Sequence, residues 1–233
     1  MTIRRRTFPL VCLVAAFTAS LVAGARAAPP RVVALGDSIT KGVRTGVAAD
    51  EIFSILVERR LRERSPDLVV INEGIGGERT DQALARLDGI LEQHRPTAML
   101  VMYGTNDAYV DPGRSDPRLT RQAYAANLEA IVAKLRAAGV TPILMTEPAW
   151  AQGAAADGSG AHPDIRLGEY MEACREVAKK LDVALVDHHA RWRTAADDGQ
   201  DLGAWTTDQC HPNPAGHWIM ADTILESLPD FGR

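Results

Sequence analysis

Cysteine is scarce in this sequence. The chain of 233 residues contains three cysteines, and one of them, Cys12, lies in an N-terminal stretch that we expect to be removed. The other two, Cys174 and Cys210, cannot supply the pattern of a disulfide-rich scaffold or of a zinc site. A single disulfide between them can form if the protein is exported to an oxidising environment. Because Cys174 falls on the apolar stripe of a predicted helix, we favour two free thiols.

Positive charge, aromatic side chains and long apolar runs are also in short supply. Lysine and arginine number 26 against 30 aspartates and glutamates, which gives a net charge of -4, and aromatic residues make up 5% of the chain. An acidic balance argues against nucleic acid or an anionic membrane as a partner. Beyond the N-terminus no apolar run approaches the ~20 residues of a membrane span. We therefore expect no nucleic acid and no stable membrane insertion.

The N-terminus has the pattern of a secretory signal peptide. Residues 1–27 combine a basic start, an apolar middle over about 10–22, and small residues at Ala25 and Ala27. We predict that cleavage after Ala27 leaves a single domain over 28–233. The protein is then periplasmic or extracellular.

Two details of this leader bear on export and charge. The segment "RRTF" at residues 5–8 resembles the core of a twin-arginine signal. Arg4 stands where Ser or Thr would be expected before the pair, so we favour the general secretory route. Removing residues 1–27 takes away four arginines and no acidic residue, which changes the net charge to about -8.

Apolar runs of strand length alternate with helical patterns along the rest of the chain. The runs are continuous rather than alternating, as in strands that are covered on both faces. Strand and helix in alternation predict an α/β fold, a three-layer α/β/α sandwich with about five parallel strands. The predicted strands are 31–35, 68–72, 98–103, 142–147 and 183–187. The predicted helices are 51–64, 80–94 with Thr80 as its cap, 120–138, 164–181 and 214–228. We expect the segment 151–163 to be a surface loop or a mobile flap.

Polar motifs follow the predicted strands. In open parallel sheets, ligands bind outside the carboxyl ends of the strands, so these motifs are expected to share one rim. They are "GDSIT" (36–40), "NEGIGGERT" (72–80), "GTND" (104–107), "EPAW" (147–150) and, before the last helix, "DQCHPN" (208–213).

Three of these residues can form a nucleophilic set. Ser38 is a candidate nucleophile, although a serine after a strand is more often a turn or cap residue. A serine hydroxyl needs a base, and His211 can serve as one. Asp208 lies three positions earlier, where it can hold the imidazole in the tautomer that accepts the serine proton.

Attack on a carbonyl also needs donors for the oxygen that gains negative charge. The amide of Ser38, the backbone N–H of Gly77 and the side-chain amide of Asn106 are the candidates. The glycine and the asparagine each have a plainer interpretation. Gly77 could simply form a turn, and Asn106 could form an Asx-turn. Gly74 and Gly76 are alternatives to Gly77.

The blocks "GDSIT", "NEGIGG", "GTND" and "DQCHPN" together resemble the SGNH/GDSL hydrolase family, in the family's order and over most of the chain. The resemblance implies Ser38 as nucleophile, His211 as base, Asp208 as its orienting acid, and Gly77 and Asn106 as oxyanion donors beside the Ser38 amide. It also implies a flavodoxin-like fold and ester hydrolysis without a metal or other cofactor. The α/β-hydrolases differ, because their G-x-S-x-G motif needs a second glycine after the serine.

Four further side chains are candidates for the pocket. They are Asp37, Tyr109, Trp150 and Trp205, which lie within or near the motifs. A hydrogen bond that fixes the loop is the plainer role for Asp37. Hydrophobic cover of the sheet edge is the plainer role for the three aromatic residues. The sequence "DHH" at 187–189 suggests a metal, but adjacent side chains at a strand end diverge and no second ligand cluster is evident. We expect no metal.

These observations predict a secreted serine esterase whose substrate is a small-molecule, carbohydrate or lipid ester. The short chain and the few aromatic residues favour small acyl groups such as acetyl. A lysophospholipase or thioesterase of the same family is the nearest alternative. A secreted binding module without activity on the same fold, and a metal-dependent hydrolase, are alternatives from other classes.

Overall fold

A parallel sheet lies at the centre of the computed structural model, which describes residues 29–231. Its strands are β1 (Arg31–Gly36), β2 (Val69–Gly74), β3 (Ala98–Met102), β4 (Thr141–Met145) and β5 (Ala184–Val186). Their spatial order is β2-β1-β3-β4-β5, and every neighbouring pair is parallel. All five predicted strands are present, with their ends within two residues of the predicted ones. The predicted signal peptide lies outside the described residues.

Helices cover both faces of this sheet. One face packs against α3 (Thr80–His94), α5 (Arg121–Ala137) and α6 (Pro163–Leu181), and the other against α2 (Phe53–Arg62) and α8 (Pro214–Ser227). The three-layer α/β/α prediction is therefore confirmed, and these are the five predicted helices. The helices that were not predicted are α1 (Ser38–Lys41), α4 (Thr105–Ala108), α7 (His188–Asp197) and a 3-10 turn over Leu202–Trp205.

Strand β1 shows why the strands have apolar residues at consecutive positions in the sequence. Val33 and Leu35 point into the core beneath α3, α5 and α6, while Val32 and Ala34 point into the core beneath α2 and α8. Successive side chains of a strand face opposite sides of the sheet. A strand with helices on both sides therefore needs apolar residues at every position.

Two glycines allow α1 to lie directly against the strand ends. A Cβ on Gly74, the last residue of β2, would lie 2.1 Å from the backbone nitrogen of Lys41. A Cβ on Gly36, the last residue of β1, would lie 2.0 Å from Thr40 Oγ1. Contacts below about 3 Å are impossible for real side chains. These two positions therefore fix how closely the turn that carries Ser38 approaches the sheet.

The capping residue of α3 differs from the prediction, although the helix begins at the predicted residue. The capping residue is Arg79, whose backbone N–H donates to Gln82 Oε1, and Thr80 is the first helical residue. The Thr80 backbone N–H and hydroxyl both donate to Asp107 Oδ1. Thr80 was predicted as a cap because its residue type favours that position. Instead it ties the start of α3 to the segment after β3.

The segment 151–163 is a surface loop with hydrogen bonds to two other loops. The Ala151 N–H donates to the Gln209 carbonyl at 2.8 Å, and the Gly158 N–H donates to the Val110 carbonyl at 2.9 Å. Within residues 29–231, none of the helices combines the length and the apolar composition that a membrane crossing requires. Cys174 and Cys210 are both buried free thiols, which confirms the expectation for these two cysteines.

Candidate active site

Ser38 lies where β1 ends and α1 begins. The preceding residue, Asp37, caps α1, because its Oδ1 accepts the Ile39 backbone N–H at 2.8 Å. This cap turns the chain sharply at the strand end. Ser38 is thereby the first helical residue at the carboxyl edge of the sheet, where parallel sheets bind their ligands.

Three side chains from the two ends of the chain form a continuous hydrogen-bonded set. Ser38 Oγ lies 2.9 Å from His211 Nε2, and His211 Nδ1 lies 2.9 Å from Asp208 Oδ2. Asp208 Oδ1 also accepts the backbone N–H of His211 at 2.9 Å. The carboxylate therefore holds both the ring and the backbone of the histidine, and the ring holds the serine. The sequence places Ser38 in one motif and Asp208 and His211 together in another, and the structure brings the two motifs together.

The electrostatics of this set favour a neutral imidazole. Burial lowers the pKa of His211, and the Arg44 guanidinium lowers it further. The Asp208 carboxylate raises this pKa but does not overcome the lowering. Burial works against ionisation of Asp208, yet hydrogen bonds and charge from His211 hold the pKa of that carboxyl below its usual value. A neutral imidazole beside an ionised carboxylate can accept a proton from Ser38 at neutral pH.

Arg44 is a cationic partner of Asp208 that the sequence did not reveal. Its Nη2 lies 2.7 Å from Asp208 Oδ2, and both side chains are partly exposed. The loop that carries Arg44 is closed by a bridge to Val47, in which the Val47 N–H donates to the Arg44 carbonyl at 2.9 Å. No local motif marks this arginine, because its partner lies in the last loop of the chain.

The side-chain amide of Asn106 is bound at both of its ends. Its Nδ2 donates to Asp37 Oδ2 at 2.8 Å, and its Oδ1 accepts from Arg118 Nη1 at 3.1 Å. One N–H of the amide group remains for another acceptor. Arg118 is a second residue that the sequence did not reveal.

The candidate glycine donors differ in what their N–H groups do. The Gly74 N–H donates to Asn72 Oδ1 at 2.9 Å, so it is already engaged. Gly76 lies beside Ser38, since a Cβ on it would be 3.9 Å from Ser38 Cβ, and Gly77 adopts a left-handed conformation with φ +78°. Neither Gly76 nor Gly77 donates its N–H to an acceptor among the described residues. Both remain candidates, with Gly77 as the predicted one.

Three buried carboxyl groups lie beneath the site. Burial raises the pKa of Asp37 to about 7 and that of Asp107 to about 6, in each case with help from a nearby acidic group. Burial raises the pKa of Glu147 well above its usual value, with added repulsion from Asp37 and Asp107. Within residues 29–231, neither carboxyl oxygen of Glu147 accepts a hydrogen bond from an N–H donor, and Asp37 is the acid with which Glu147 can share a proton. The sequence placed "EPAW" at the correct strand end but did not reveal that its glutamate is fully buried.

The cavity at Ser38 is small and has one aromatic wall. Its volume is about 270 Å³, near the lower end for ligand pockets. The rings of Tyr109 and Trp150 stack there with centroids 6.3 Å apart and planes inclined by 21°. The other lining residues are Ser38, Thr105, Asn106, Arg118, Cys210 and His211.

Two residues predicted to line the pocket lie elsewhere. Trp205 packs edge-on against Trp192, with ring centroids 5.3 Å apart, in a separate small core. Asp37 is fully buried beneath the cavity and has the plainer role considered for it, because it caps α1 and binds Asn106. The pocket prediction was wrong for both, because closeness in sequence does not determine which way a side chain points.

The "DHH" segment has a structural role. Asp187 caps α7 by accepting the Ala190 N–H at 3.1 Å, and it forms an ion pair with Arg175. His188 is fully buried, and burial lowers its pKa to about 3. Within residues 29–231, no three His, Cys, Asp or Glu side chains cluster in a way that could hold a metal ion.

Comparison with known proteins places this geometry in context. The model of the GDSL-like Lipase/Acylhydrolase family matches residues 34–219. The isoamyl acetate-hydrolyzing esterase 1 homolog of Bos taurus is 27% identical over 86% of this chain and 84% of its own. The uncharacterized lipoprotein YqeF of Bacillus subtilis is 31% identical over 85% of this chain and 88% of its own.

An acetylxylan esterase of Geobacillus stearothermophilus is similar in both sequence and fold. The sequence is 26% identical over 85% of this chain and 93% of the relative. The solved structure of the acetylxylan esterase Axe2 from that organism superimposes with a TM-score of 0.71 at 22% identity, covering 87% of this chain and 95% of Axe2. The structural likeness bears on the fold.

Proposed function

Because the chain belongs to the GDSL-like lipase/acylhydrolase family and is a carboxylic ester hydrolase, we propose that it is an exported serine esterase for small acyl groups such as acetyl. In this proposal Ser38 is the nucleophile, His211 the base and Asp208 the acid that orients it. One observation carries the assignment. It is the hydrogen-bonded set from Ser38 Oγ through His211 to Asp208, with 2.9 Å at each step.

The first half of the reaction acylates the enzyme. Ser38 Oγ attacks the ester carbonyl carbon as its proton passes to His211 Nε2. The carbonyl oxygen becomes an anion, which accepts hydrogen bonds from the Ser38 N–H, the Gly77 N–H and the free N–H of Asn106. The tetrahedral species then expels the alcohol, whose oxygen takes the proton from His211, and an acyl-Ser38 ester remains.

The second half returns the enzyme to its starting state. A water molecule takes the place of the alcohol and gives a proton to His211 Nε2 as its oxygen attacks the acyl carbon. The same donors stabilise the second oxyanion. The bond from the acyl carbon to Ser38 Oγ then breaks, the proton returns to Ser38, and the carboxylic acid leaves. These steps use groups of this chain and one water molecule.

The size of the cavity and the relatives support small acyl groups. A volume of about 270 Å³ around the serine and the stacked Tyr109 and Trp150 suits a short acyl chain better than a long one. The names of two relatives, an isoamyl acetate-hydrolyzing esterase and an acetylxylan esterase, both denote acetate esters. An acetyl ester of a carbohydrate or of another small alcohol is therefore the proposed substrate class.

Export rests on two other observations. The pattern of residues 1–27 is that of a signal peptide. The relative YqeF is described as a lipoprotein, and lipoproteins are exported. We propose that residues 28–233 act as one domain in the periplasm or outside the cell.

Substitution of the serine tests the mechanism. We expect Ser38→Ala, in the chain without residues 1–27, to lower kcat for p-nitrophenyl acetate by at least about 10⁴-fold, because no other group can form the acyl-enzyme. Hydrolysis is measured for p-nitrophenyl esters from acetate to palmitate, with circular dichroism to compare folding. Retained activity in a folded Ser38→Ala variant would refute the nucleophile. Highest kcat/KM for the long chains would refute the small-acyl proposal.

The nearby Ser54 offers a matched control. It is a fully buried serine whose hydroxyl accepts from Asn72 Nδ2 at 3.0 Å, outside the active-site cavity. A fluorophosphonate probe is expected to label the wild-type protein and Ser54→Ala but not Ser38→Ala. Absence of labelling in the folded wild-type protein would favour a binding module without activity.

A further inference from the structure

The orientation of the Asn106 amide is specified from two sides. The Asp37 carboxylate accepts from Nδ2 at 2.8 Å, and the Arg118 guanidinium donates to Oδ1 at 3.1 Å. Rotating the amide by half a turn would put its oxygen against a carboxylate and its NH₂ against a cation. The contact with the guanidinium would then be repulsive, and so would the contact with the ionised form of Asp37. The two partners therefore leave one orientation, in which a single N–H is free.

Arg118 itself has two further partners at the mouth of the cavity. Its Nη2 lies 2.7 Å from Asp111 Oδ1, and its Nε lies 3.1 Å from each oxygen of the same carboxylate. The centre of the guanidinium lies 5.0 Å from the ring centroid of Tyr109, over its face. A two-point carboxylate contact and a cation–π contact each restrict the plane of the guanidinium. Arg118 can therefore present Nη1 to Asn106 in a fixed direction.

We propose that Arg118 is a positioning residue that aligns and polarises the Asn106 amide as an oxyanion donor. This inference rests on the proposed function, because it deepens the role given there to Asn106. A cation at the carbonyl end of an amide draws electron density from its nitrogen. The remaining N–H thereby becomes a stronger donor, as in other chains of polarised hydrogen bonds. Preorganised donors of this kind act on the transition state more than on the bound substrate.

A double-mutant cycle of Arg118 and Asn106 separates positioning of the Asn106 amide from a direct effect of Arg118 on the substrate or the oxyanion. We expect Asn106→Ala to lower kcat for p-nitrophenyl acetate by about 10²-fold to 10³-fold. Arg118→Ala should lower kcat by about 10-fold with less than about a twofold change in KM, and in the Asn106→Ala background it should have almost no effect. Arg114→Ala, which removes an exposed positive charge from the same loop outside the cavity, should keep the wild-type kcat.

Three outcomes of the cycle would overturn the proposal. An equal loss in both backgrounds would mean that the Arg118 charge acts on the oxyanion directly. A rise in KM with unchanged kcat would mean that Arg118 only binds substrate. An equal loss in Arg114→Ala would mean that the net charge of the loop is responsible.

A spectroscopic readout keeps the test independent of ester hydrolysis. The side-chain amide signal of Asn106 can be assigned by its absence in the ¹⁵N–¹H spectrum of Asn106→Ala. We expect Arg118→Ala to shift that signal in a folded protein, and Arg114→Ala to leave it in place. An unmoved signal overturns the inference. A shifted signal in a protein whose wild type hydrolyses no ester would support the coupling and refute the proposed function alone.

Discussion

At the scale of the residue, the Asp208 carboxylate has two cationic or potentially cationic neighbours. It accepts from His211 Nδ1 at 2.9 Å and pairs with Arg44 Nη2 at 2.7 Å. The two partners share Oδ2, so the charge that holds the imidazole is partly balanced by a permanent cation. Opposite charges favour ionisation and like charges oppose it. Arg44 therefore makes protonation of His211 less favourable than it would be beside a lone carboxylate.

Replacing Arg44 should move the acid limb of the activity profile. Removal of this cation raises the pKa of His211, because the guanidinium lowers it in the native protein. The proposed base is active only when neutral, so we expect the acid limb of kcat/KM for Arg44→Ala to shift to higher pH. Arg44→Lys keeps the charge and should keep the wild-type limb. A limb that moves to lower pH, or that moves equally in both variants, would contradict this account.

The individual site residues show what sequence patterns can and cannot reveal. Ser38, Asp208 and His211 lie in motifs whose order along the chain predicts that they meet, and the structure places them at hydrogen-bonding distances. Arg44 contacts a residue 164 positions away in the chain. No local pattern records such a pairing, because it depends on where two loops come together after the sheet has formed.

At the scale of the element, the close packing of α1 on β2 positions Ser38, the proposed nucleophile. Gly74 ends β2 against the backbone of Lys41, where a Cβ would come within 2.1 Å of the nitrogen. Since both contacting groups are backbone, no side chain can rotate to make room. The turn that carries Ser38 therefore depends on an absent side chain in a neighbouring strand.

A methyl group at position 74, in place of the glycine hydrogen, should displace α1. We expect Gly74→Ala to lower the free energy of unfolding by about 1–3 kcal/mol, as overpacking does, and to reduce kcat by moving Ser38 away from His211. Gly89→Ala is the matched control, because Gly89 is an exposed glycine within α3 that has nothing within 4 Å of an added Cβ. It should stabilise the protein by about 0.5–1 kcal/mol. Urea unfolding and kcat for p-nitrophenyl acetate measure both effects, and similar results for the two variants would contradict the packing argument.

Elements with strong periodicity were predictable, and short or polar ones were not. Helix α3 begins and ends at the predicted residues, since its apolar positions repeat at helical spacing over 15 residues. Helix α7 was missed, because its sequence "HHARWRTAAD" has a single large apolar side chain, Trp192. Helices α1 and α4 have four residues each, too few to show any period.

At the scale of the whole molecule, the site is built over buried acidic groups, which links its architecture to pH. Asp37 and Glu147 are fully buried, and burial raises the pKa of each above its ordinary value of 3.8 or 4.5. Between the ordinary and the raised pKa, the native state keeps a proton that the unfolded chain releases. The unfolding free energy therefore falls as pH rises, by up to about 1.4 kcal/mol per pH unit for each such proton. For Asp37 this window runs from 3.8 to about 7.

Replacing Glu147 should weaken the dependence of the unfolding free energy on pH. Glu147→Gln keeps the shape of the neutral acid but has no proton to lose. We expect its stability relative to the wild-type protein to increase as pH rises from about 5 to about 9. Urea unfolding across this range measures the effect, with the exposed Glu92→Gln as the control. A constant difference between Glu147→Gln and wild type would show that Glu147 is ionised in the native protein throughout.

The architecture as a whole was the most predictable feature. The order of apolar runs and helical patterns specified a parallel three-layer fold, because right-handed crossovers leave few alternatives. The buried carboxyl groups were not predictable, because an aspartate or glutamate in a polar motif looks the same whether it faces solvent or the core. The same holds for Trp205, which packs in a core of its own.

The distance along the chain between Ser38 and His211, 173 positions, has a consequence for how the activity arises during synthesis. Ser38, the proposed nucleophile, is synthesised long before His211, the proposed base. A nascent chain in which the His211 loop is still inside the ribosome holds a serine with no imidazole to take its proton. On the proposed mechanism, hydrolysis therefore begins only after that loop has been synthesised and has folded against Ser38, and we expect a product terminated before His211 to have no esterase activity.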